Sequence, residues 1–185
     1  MEQRKNNKRI LLHACCAICS GYPIEALREL GYEPVVYFYN PNIYPVAEYQ
    51  KRLAAQRELC LHYGVELIEG SYEPEIFFEA AKGLENEPER GKRCIKCFEL
   101  RLMNSIHKAR ELGIETLTTS IVISPHKNFQ LISDIGQKLC ENENIEYLAI
   151  DFKKKDGFLK TNNISKSLGL YRQNYCGCKF TIRQA

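Results

Sequence analysis

Seven of the nine cysteines in this chain fall into three close groups: Cys15, Cys16 and Cys19 in "CCAIC", Cys94 and Cys97 in "CIKC", and Cys176 and Cys178 in "CGC". Thiolates bind zinc and iron-sulfur clusters, and paired thiols are two-electron reductants. A C-x-x-C pair that opens a helix brings two sulfurs to one metal, while the first-turn amides and the helix dipole stabilise thiolate charge. Two distant pairs can complete a zinc site or a [4Fe-4S] cluster; a thioredoxin-like couple is the third chemistry open to a lone pair. Adjacent Cys15 and Cys16 favour the polynuclear centre, because consecutive side chains on a strand diverge and separate iron atoms tolerate that better than one ion. Cys19 can replace either of them if the loop begins a helix. The CGC group differs, since its two cysteines can close only a small disulfide ring, for which Gly177 permits the backbone distortion. A strained disulfide is easily reduced, so Cys176 and Cys178 read as a redox couple, with two additional metal ligands as the alternative.

Other polar and sulfur groups carry weaker signals. Cys60 and Cys140 lie among apolar helical positions, where free cysteine acts as a small buried hydrophobe. His13 is expected to pack along the first strand, His62 and His107 to sit on the surface or in packing, and His126 to lie in a loop near substrate. Asp151 follows a predicted strand and either caps that strand or ligates a metal. The stretch "FYNPNIYPVAEYQKR" reads either as a proline-directed turn with packed tyrosines or as a recognition loop. In the second reading Asn40 and Asn42 face a heterocycle while Tyr44 and Tyr49 offer stacking surfaces. Lys153, Lys154, Lys155, Lys160, Lys166, Arg172, Lys179 and Arg183 crowd the segment around CGC, where they either solvate a surface or contact an RNA backbone.

The elements that must position these groups alternate between β-rich and amphipathic runs. Strands are expected at 9–14, 34–39, 65–70, 114–124 and 145–151, and helices at 23–31, 45–64, 74–83, 94–113, 128–143 and 162–171. Gly31, Gly64 and Gly83 serve as helix stop signals, and Pro23 and Pro45 suit first turns. This βαβ rhythm predicts an α/β fold, a Rossmann-like three-layer domain with a mostly parallel sheet. The strand carboxyl ends then gather along one edge. Cys15 and Cys16, Asn40 to Ile43, Ser120 and Asp151 converge there, and the C-x-x-C helix and the tail can cover the same crevice.

At 185 residues with 44% hydrophobic content the chain is expected to form one domain, with residues 1–8 a flexible basic start. The apolar run after "MEQRKNNKR" is too short for a signal-peptide core or a membrane span, so a cytoplasmic, membrane-free location is expected. A reducing compartment disfavours a structural disulfide framework, which leaves metal binding or redox chemistry as the use for so much sulfur. The net charge of +3 requires any polyanion site to be a local patch.

In order along the chain, "LLHACCAICS", "YNPNIYPVAEYQKR", "RCIKCFELRL", "TTSIVISPHKN" and "GLYRQNYCGCKF" together resemble the QueH-type epoxyqueuosine reductases, over nearly the whole length. The resemblance implies an oxidoreductase acting on tRNA, which reduces the epoxide of epoxyqueuosine at the anticodon wobble position to queuosine. It implies a [4Fe-4S] cluster on Cys15, Cys16, Cys94 and Cys97, a redox-active pair at Cys176 and Cys178, and a low-potential electron donor. It also implies a second metal ion, iron or zinc, for which Asp151 is the candidate carboxylate ligand; Asn40, Asn42, Tyr44 and Arg172 are the substrate-binding candidates. One departure is visible, Ile18 standing where the first motif more often has proline. Two rivals stand against this reading. A nucleotide-activating tRNA thiolation enzyme would need a phosphate loop, and no glycine- and serine-rich loop follows the first strand. A zinc-stapled RNA-binding module would need its thiols only as ligands.

Overall fold

The computed structural model describes residues 8–181. Five strands, β1 (Lys8–His13), β2 (Tyr32–Phe38), β3 (Glu66–Glu69), β4 (Thr116–Thr119) and β5 (Glu146–Tyr147), form a sheet in the order β3-β2-β1-β4-β5. Every pairing in it is parallel. Six α-helices connect or flank the strands: α1 (Ala17–Glu29), α2 (Val46–Tyr63), α3 (Pro74–Ala80), α4 (Lys92–Glu111), α5 (Phe129–Cys140) and α6 (Gly157–Ser167). The central strands carry continuous apolar runs rather than alternating ones, as buried parallel strands must. Ile10, Leu11 and Leu12 of β1 and Val35, Val36 and Phe38 of β2 are accordingly in the core.

The order reverses beside β1: the chain first moves out through β2 and β3, then returns to place β4 on the other side. In open α/β sheets that reversal leaves a crevice outside the strand carboxyl ends. His13 is in register with both Tyr37 and Thr119, so the residues after β1 and β4 emerge side by side. A smaller apolar cluster lies beyond this edge, where Phe77 and Ala81 from the α3 region pack with Cys97 of α4 and Cys178. Full burial of a side chain such as Phe77 is worth about 1.5–3 kcal/mol, one of the contributions that hold the C-terminal segment over the crevice.

Several boundaries differ from the sequence reading, each for a local reason. The fourth strand stops at Thr119, whose Oγ1 accepts the Ile121 N–H at 3.2 Å and starts a 3₁₀ turn, Ser120–Ile123. Its apolar residues are buried all the same, so hydrophobicity alone reads as more strand. The fifth strand has two residues, and the last helix begins at Gly157 instead of 162. Helix α1 starts six residues before Pro23, which therefore lies inside it and removes the helical donor to the Cys19 carbonyl. Pro45 is the N-cap of α2. Gly31 and Gly64 do end helices, with φ of +84° and +56°. Of the expected flexible start at 1–8, only Lys8 is within the described residues, where it opens β1; Arg183 lies outside them. No helix among the described residues is long and apolar enough to cross a membrane.

Candidate metal and redox centre

The crevice is a cavity of about 580 Å³, and all seven grouped cysteines line it. The first group is built where β1 gives way to α1. Cys16 is the N-cap of α1 with extended backbone (φ −174°, ψ 163°), so the chain turns sharply between strand and helix. That turn answers the divergence expected of neighbouring side chains: Cys15 Sγ and Cys16 Sγ are 3.9 Å apart. Cys19 joins them from the first helical turn, and the three sulfurs lie within 4.8 Å of one another. Ser120 at the end of β4 holds the turn, its Oγ accepting the Cys15 N–H at 3.0 Å. Gln173, from the C-terminal segment, donates Nε2–H to Cys16 Sγ at 2.9 Å.

The second group opens α4. Gly91 is the N-cap, Glu87 accepts the Lys92 N–H at 2.9 Å, and the Arg90 N–H donates to Cys94 Sγ at 3.2 Å. One turn below Cys97, buried Arg101 approaches its sulfur at 3.9 Å and donates to Asn40 Oδ1 at 2.6 Å. Asn40 in turn donates to the Ala14 carbonyl at 2.9 Å, tying α4 to the turn that carries Cys15. The third group is held against this surface by its own turn: the Cys178 N–H donates to Cys176 Sγ at 3.4 Å.

Each sulfur's proton affinity follows from these neighbours. Cys15 is held well below the ordinary thiol range, first by hydrogen bonds from Cys16 and Cys19, then by Arg101 and Ser120 against the opposing effect of burial. Cys16 is pushed up to about 12, chiefly because its proton is committed to Cys15, and Cys19 rises for the same reason. Cys176 is lowered to about 5 by hydrogen bonding from Cys178, with Thr181 and Lys127 adding to it, and Cys178 is raised correspondingly. Cys97 is raised by burial, which outweighs Arg101. His13 is lowered to about 3 by burial and by Arg101. It is therefore a neutral ring, whose Nε2 donates to the Tyr39 carbonyl at 3.1 Å while Nδ1 accepts from Thr119 at 2.8 Å. Its place is in packing, as expected.

The substrate candidates separate. Asn42 and Arg172 line the cavity, as does His126. Asn40 is fully buried and spends its amide on Arg101 and Ala14. Tyr44 lies outside the cavity wall, with Lys179 Nζ 5.6 Å from its ring centre, and Tyr49 is buried against Tyr72 at 4.0 Å between ring centres. The structure does not bring Asp151 to the cavity: its carboxylate accepts the Lys153 N–H at 3.2 Å and pairs with Lys153 Nζ at 3.7 Å. Sequence reasoning missed Arg101 and Gln173, whereas Ser120 stands beside Cys15 as its place after the fourth strand predicts. Arg52, Arg90, Arg93, Arg101, Lys127 and Arg172 line the cavity with Glu89 the single carboxylate among its walls, a cationic patch hidden in a net charge of +3.

This donor set fits a soft metal centre. Three sulfurs already share one point at a helix N-terminus, Cys94 and Cys97 add two more on the same cavity, and the surrounding guanidinium groups offset thiolate charge. Among the described residues, Cys15, Cys16 and Cys19 form the one group of three potential ligands within 4.8 Å, so Cys19 belongs to the set as placed.

Comparison with known proteins agrees with the chemistry. A family profile described as Epoxyqueuosine reductase QueH matches residues 10–184. The protein of that name from Staphylococcus epidermidis is 39% identical over 97% of this chain and 78% of its own length. The one from Streptococcus pyogenes is 36% identical over 98% and 73%, and that from Thermotoga maritima 34% over 94% and 90%. Among solved structures, the U34-tRNA thiolase NcsA from Methanococcus maripaludis with its [4Fe-4S] cluster superposes with a TM-score of 0.60 at 13% identity, over 96% of this chain and 62% of that one. A predicted subunit of tRNA methyltransferase from Methanocaldococcus jannaschii gives 0.56 at 16%, over 84% and 76%. At such identities these two establish a shared α/β fold.

Proposed function

This chain belongs to the QueH family of epoxyqueuosine reductases, and on that premise we propose that it reduces the epoxide of epoxyqueuosine in the tRNA anticodon to the cyclopentene of queuosine. The observation that carries the reading is the gathering of seven cysteines, from three separate segments, on one cation-rimmed cavity at the ends of β1 and β4. Cys15, Cys16, Cys94 and Cys97 are the proposed holders of a [4Fe-4S] cluster, with Cys19 a further sulfur beside the first two. When bound, that group would supply low-potential electrons. A second ion, iron or zinc, stays in the proposal; Asp151, its candidate ligand, pairs with Lys153, whose ammonium donates to the carbonyl of Lys127 on the cavity wall.

The remaining chemistry falls to the chain's own side chains. Removing the epoxide oxygen breaks both C–O bonds, forms a C=C bond and releases water, which requires two electrons and two protons. Oxidation of the Cys176 thiolate and the Cys178 thiol to a disulfide yields two electrons and one proton, solvent supplies the second proton, and an external low-potential donor restores the reduced pair. Arg172 and Lys127 attract the phosphates of the RNA strand, and Asn42 faces the heterocycle.

The test is anaerobic preparation with iron, sulfide and zinc quantified, alongside single-turnover reduction of tRNA bearing epoxyqueuosine. We expect about four iron and four sulfide per chain, plus about one further iron or zinc for the second ion. Cys94→Ser or Cys97→Ser should bleach the visible absorption, whereas Cys176→Ser should keep the colour and lose at least ~100-fold in turnover. A colourless zinc protein with full RNA affinity, or full activity of Cys176→Ser, would overturn the reading.

A further inference from the structure

Helix α2 carries a buried ion pair far in sequence from the three cysteine groups, Glu48 with Arg52, the Nε to Oε1 distance being 2.7 Å. The two side chains are 3% and 9% exposed, and removing water from two charges is costly unless the remaining donors and acceptors find partners. Here they do, and all the partners belong to the segment that carries Cys176. Arg52 Nη2 donates to the Tyr175 carbonyl at 3.1 Å and Nη1 to the Cys176 carbonyl at 3.2 Å. The guanidinium also lies 5.2 Å from the Tyr175 ring centre, and Glu48 Oε2 accepts from the Tyr171 hydroxyl at 2.7 Å.

The other side of the same turn is held by the loop before α2. The Tyr44 N–H donates to the Gly177 carbonyl at 2.8 Å, and Ile43 bridges Cys178 in antiparallel fashion. Gly177 has φ +98°, and a Cβ there would sit 2.9 Å from Arg52 Nη1 and 3.1 Å from Ile43. Glycine is thus required twice, by its backbone conformation and by the closeness of the arginine. The consecutive carbonyls of Tyr175, Cys176 and Gly177 each have a fixed donor, two of them from one planar fork.

We propose that Arg52 is a positioning residue for the reduction: it holds the Tyr175-Cys176-Gly177 backbone so that the Cys176 and Cys178 thiols stay poised to close on each other at the cavity wall. The inference rests on the reading of this pair as the redox couple. Its physical content is pre-organisation. A turn fixed by three carbonyl contacts gives one thiol a high effective concentration toward the other, and loosening it lowers that concentration without touching RNA contacts.

Trypsin should release Gln173–Lys179, a peptide whose sole thiols are Cys176 and Cys178, so the couple can be followed by itself. Whole protein is equilibrated in glutathione buffers, where each disulfide formed converts one oxidised glutathione to two reduced ones, then trapped by alkylation and weighed. For Arg52→Gln we expect the effective concentration to fall by about tenfold and kcat to fall by a similar factor, with KM for the tRNA and iron content within error of wild type and the melting temperature lowered, because Glu48 loses its buried partner. Arg52→Lys retains the charge and can serve only one carbonyl, so it should fall between the two. If Arg52→Gln does not fold, the lysine variant decides alone. Wild-type values of effective concentration and kcat in the folded variants would overturn the proposal. Failure of the underlying reading has another signature, full turnover by Cys176→Ser.

Discussion

Cys176 has a neighbour two residues on that gives up a proton with difficulty, and that asymmetry is a prediction about reactivity. Hydrogen bonding from Cys178 lowers Cys176 to about 5, while burial raises Cys60 and Cys140 to about 11 each. Only the thiolate is nucleophilic, so rate rises with pH through each group's own value and then levels off. In metal-free reduced protein, iodoacetamide should label the Gln173–Lys179 peptide half-maximally near pH 5 and reach its plateau by neutrality. Cys60 and Cys140 should remain unlabelled there. A labelling midpoint at the ordinary thiol position would refute the lowered value. The cysteine groups could be read from the chain because thiol chemistry is rare and its spacing is short. Arg101 and Gln173 could not: each is a common residue whose role exists only through partners 61 and 157 positions away. Asp151 stands out in the sequence by its position after a predicted strand; β5 ends at Tyr147, and the Asp151 carboxylate pairs with Lys153 instead of lining the cavity.

The element that presents Cys15, Cys16 and Cys19 is α1, and its most extensive helix partner is α6, which crosses it near Tyr22 and Thr161. Thr161 donates to the Ile18 carbonyl, and the Tyr22 N–H approaches the Thr161 hydroxyl at 3.4 Å. This contact depends on Gly157 at the first position of α6, where a Cβ would fall 1.8 Å from the Phe152 carbonyl and 2.6 Å from the Tyr22 ring. Backbone cannot yield as a flexible side chain does, so Gly157→Ala should destabilise the fold by about 2–4 kcal/mol through overpacking. Urea unfolding measures it, and a loss below about 0.5 kcal/mol, the range of ordinary surface changes, would mean that α6 docks differently. The βαβ order was legible because helical and strand periodicities differ, and because Gly31 and Gly64 mark real helix ends. The early start of α1 was hidden by Pro23, a residue that statistics place in first turns and that here lies inside the helix.

Across the whole molecule, a net charge of +3 understates the field that an RNA strand meets, because positive groups concentrate on one cavity while acidic side chains elsewhere cancel them in the sum. Sequence counting gave the sum, and only the sheet order, by bringing residues near 15, 94, 127 and 173 to one edge, gives the distribution. Arg172 is exposed on the cavity rim, whereas Lys138 on α5 is equally exposed but does not line the cavity. Each phosphate neutralised by a cation releases condensed counterions, so the logarithm of affinity falls with the logarithm of salt in proportion to the number of such contacts. Arg172→Gln should therefore reduce the magnitude of that slope for an anticodon stem-loop by about 0.7–0.9, while weakening binding most at low salt. Lys138→Gln should leave the slope unchanged. Measured by fluorescence anisotropy from 50 to 300 mM salt, equal slopes for wild type and Arg172→Gln would place the RNA backbone elsewhere on the surface. A slope lost equally in both variants would show a diffuse field in place of a localised one.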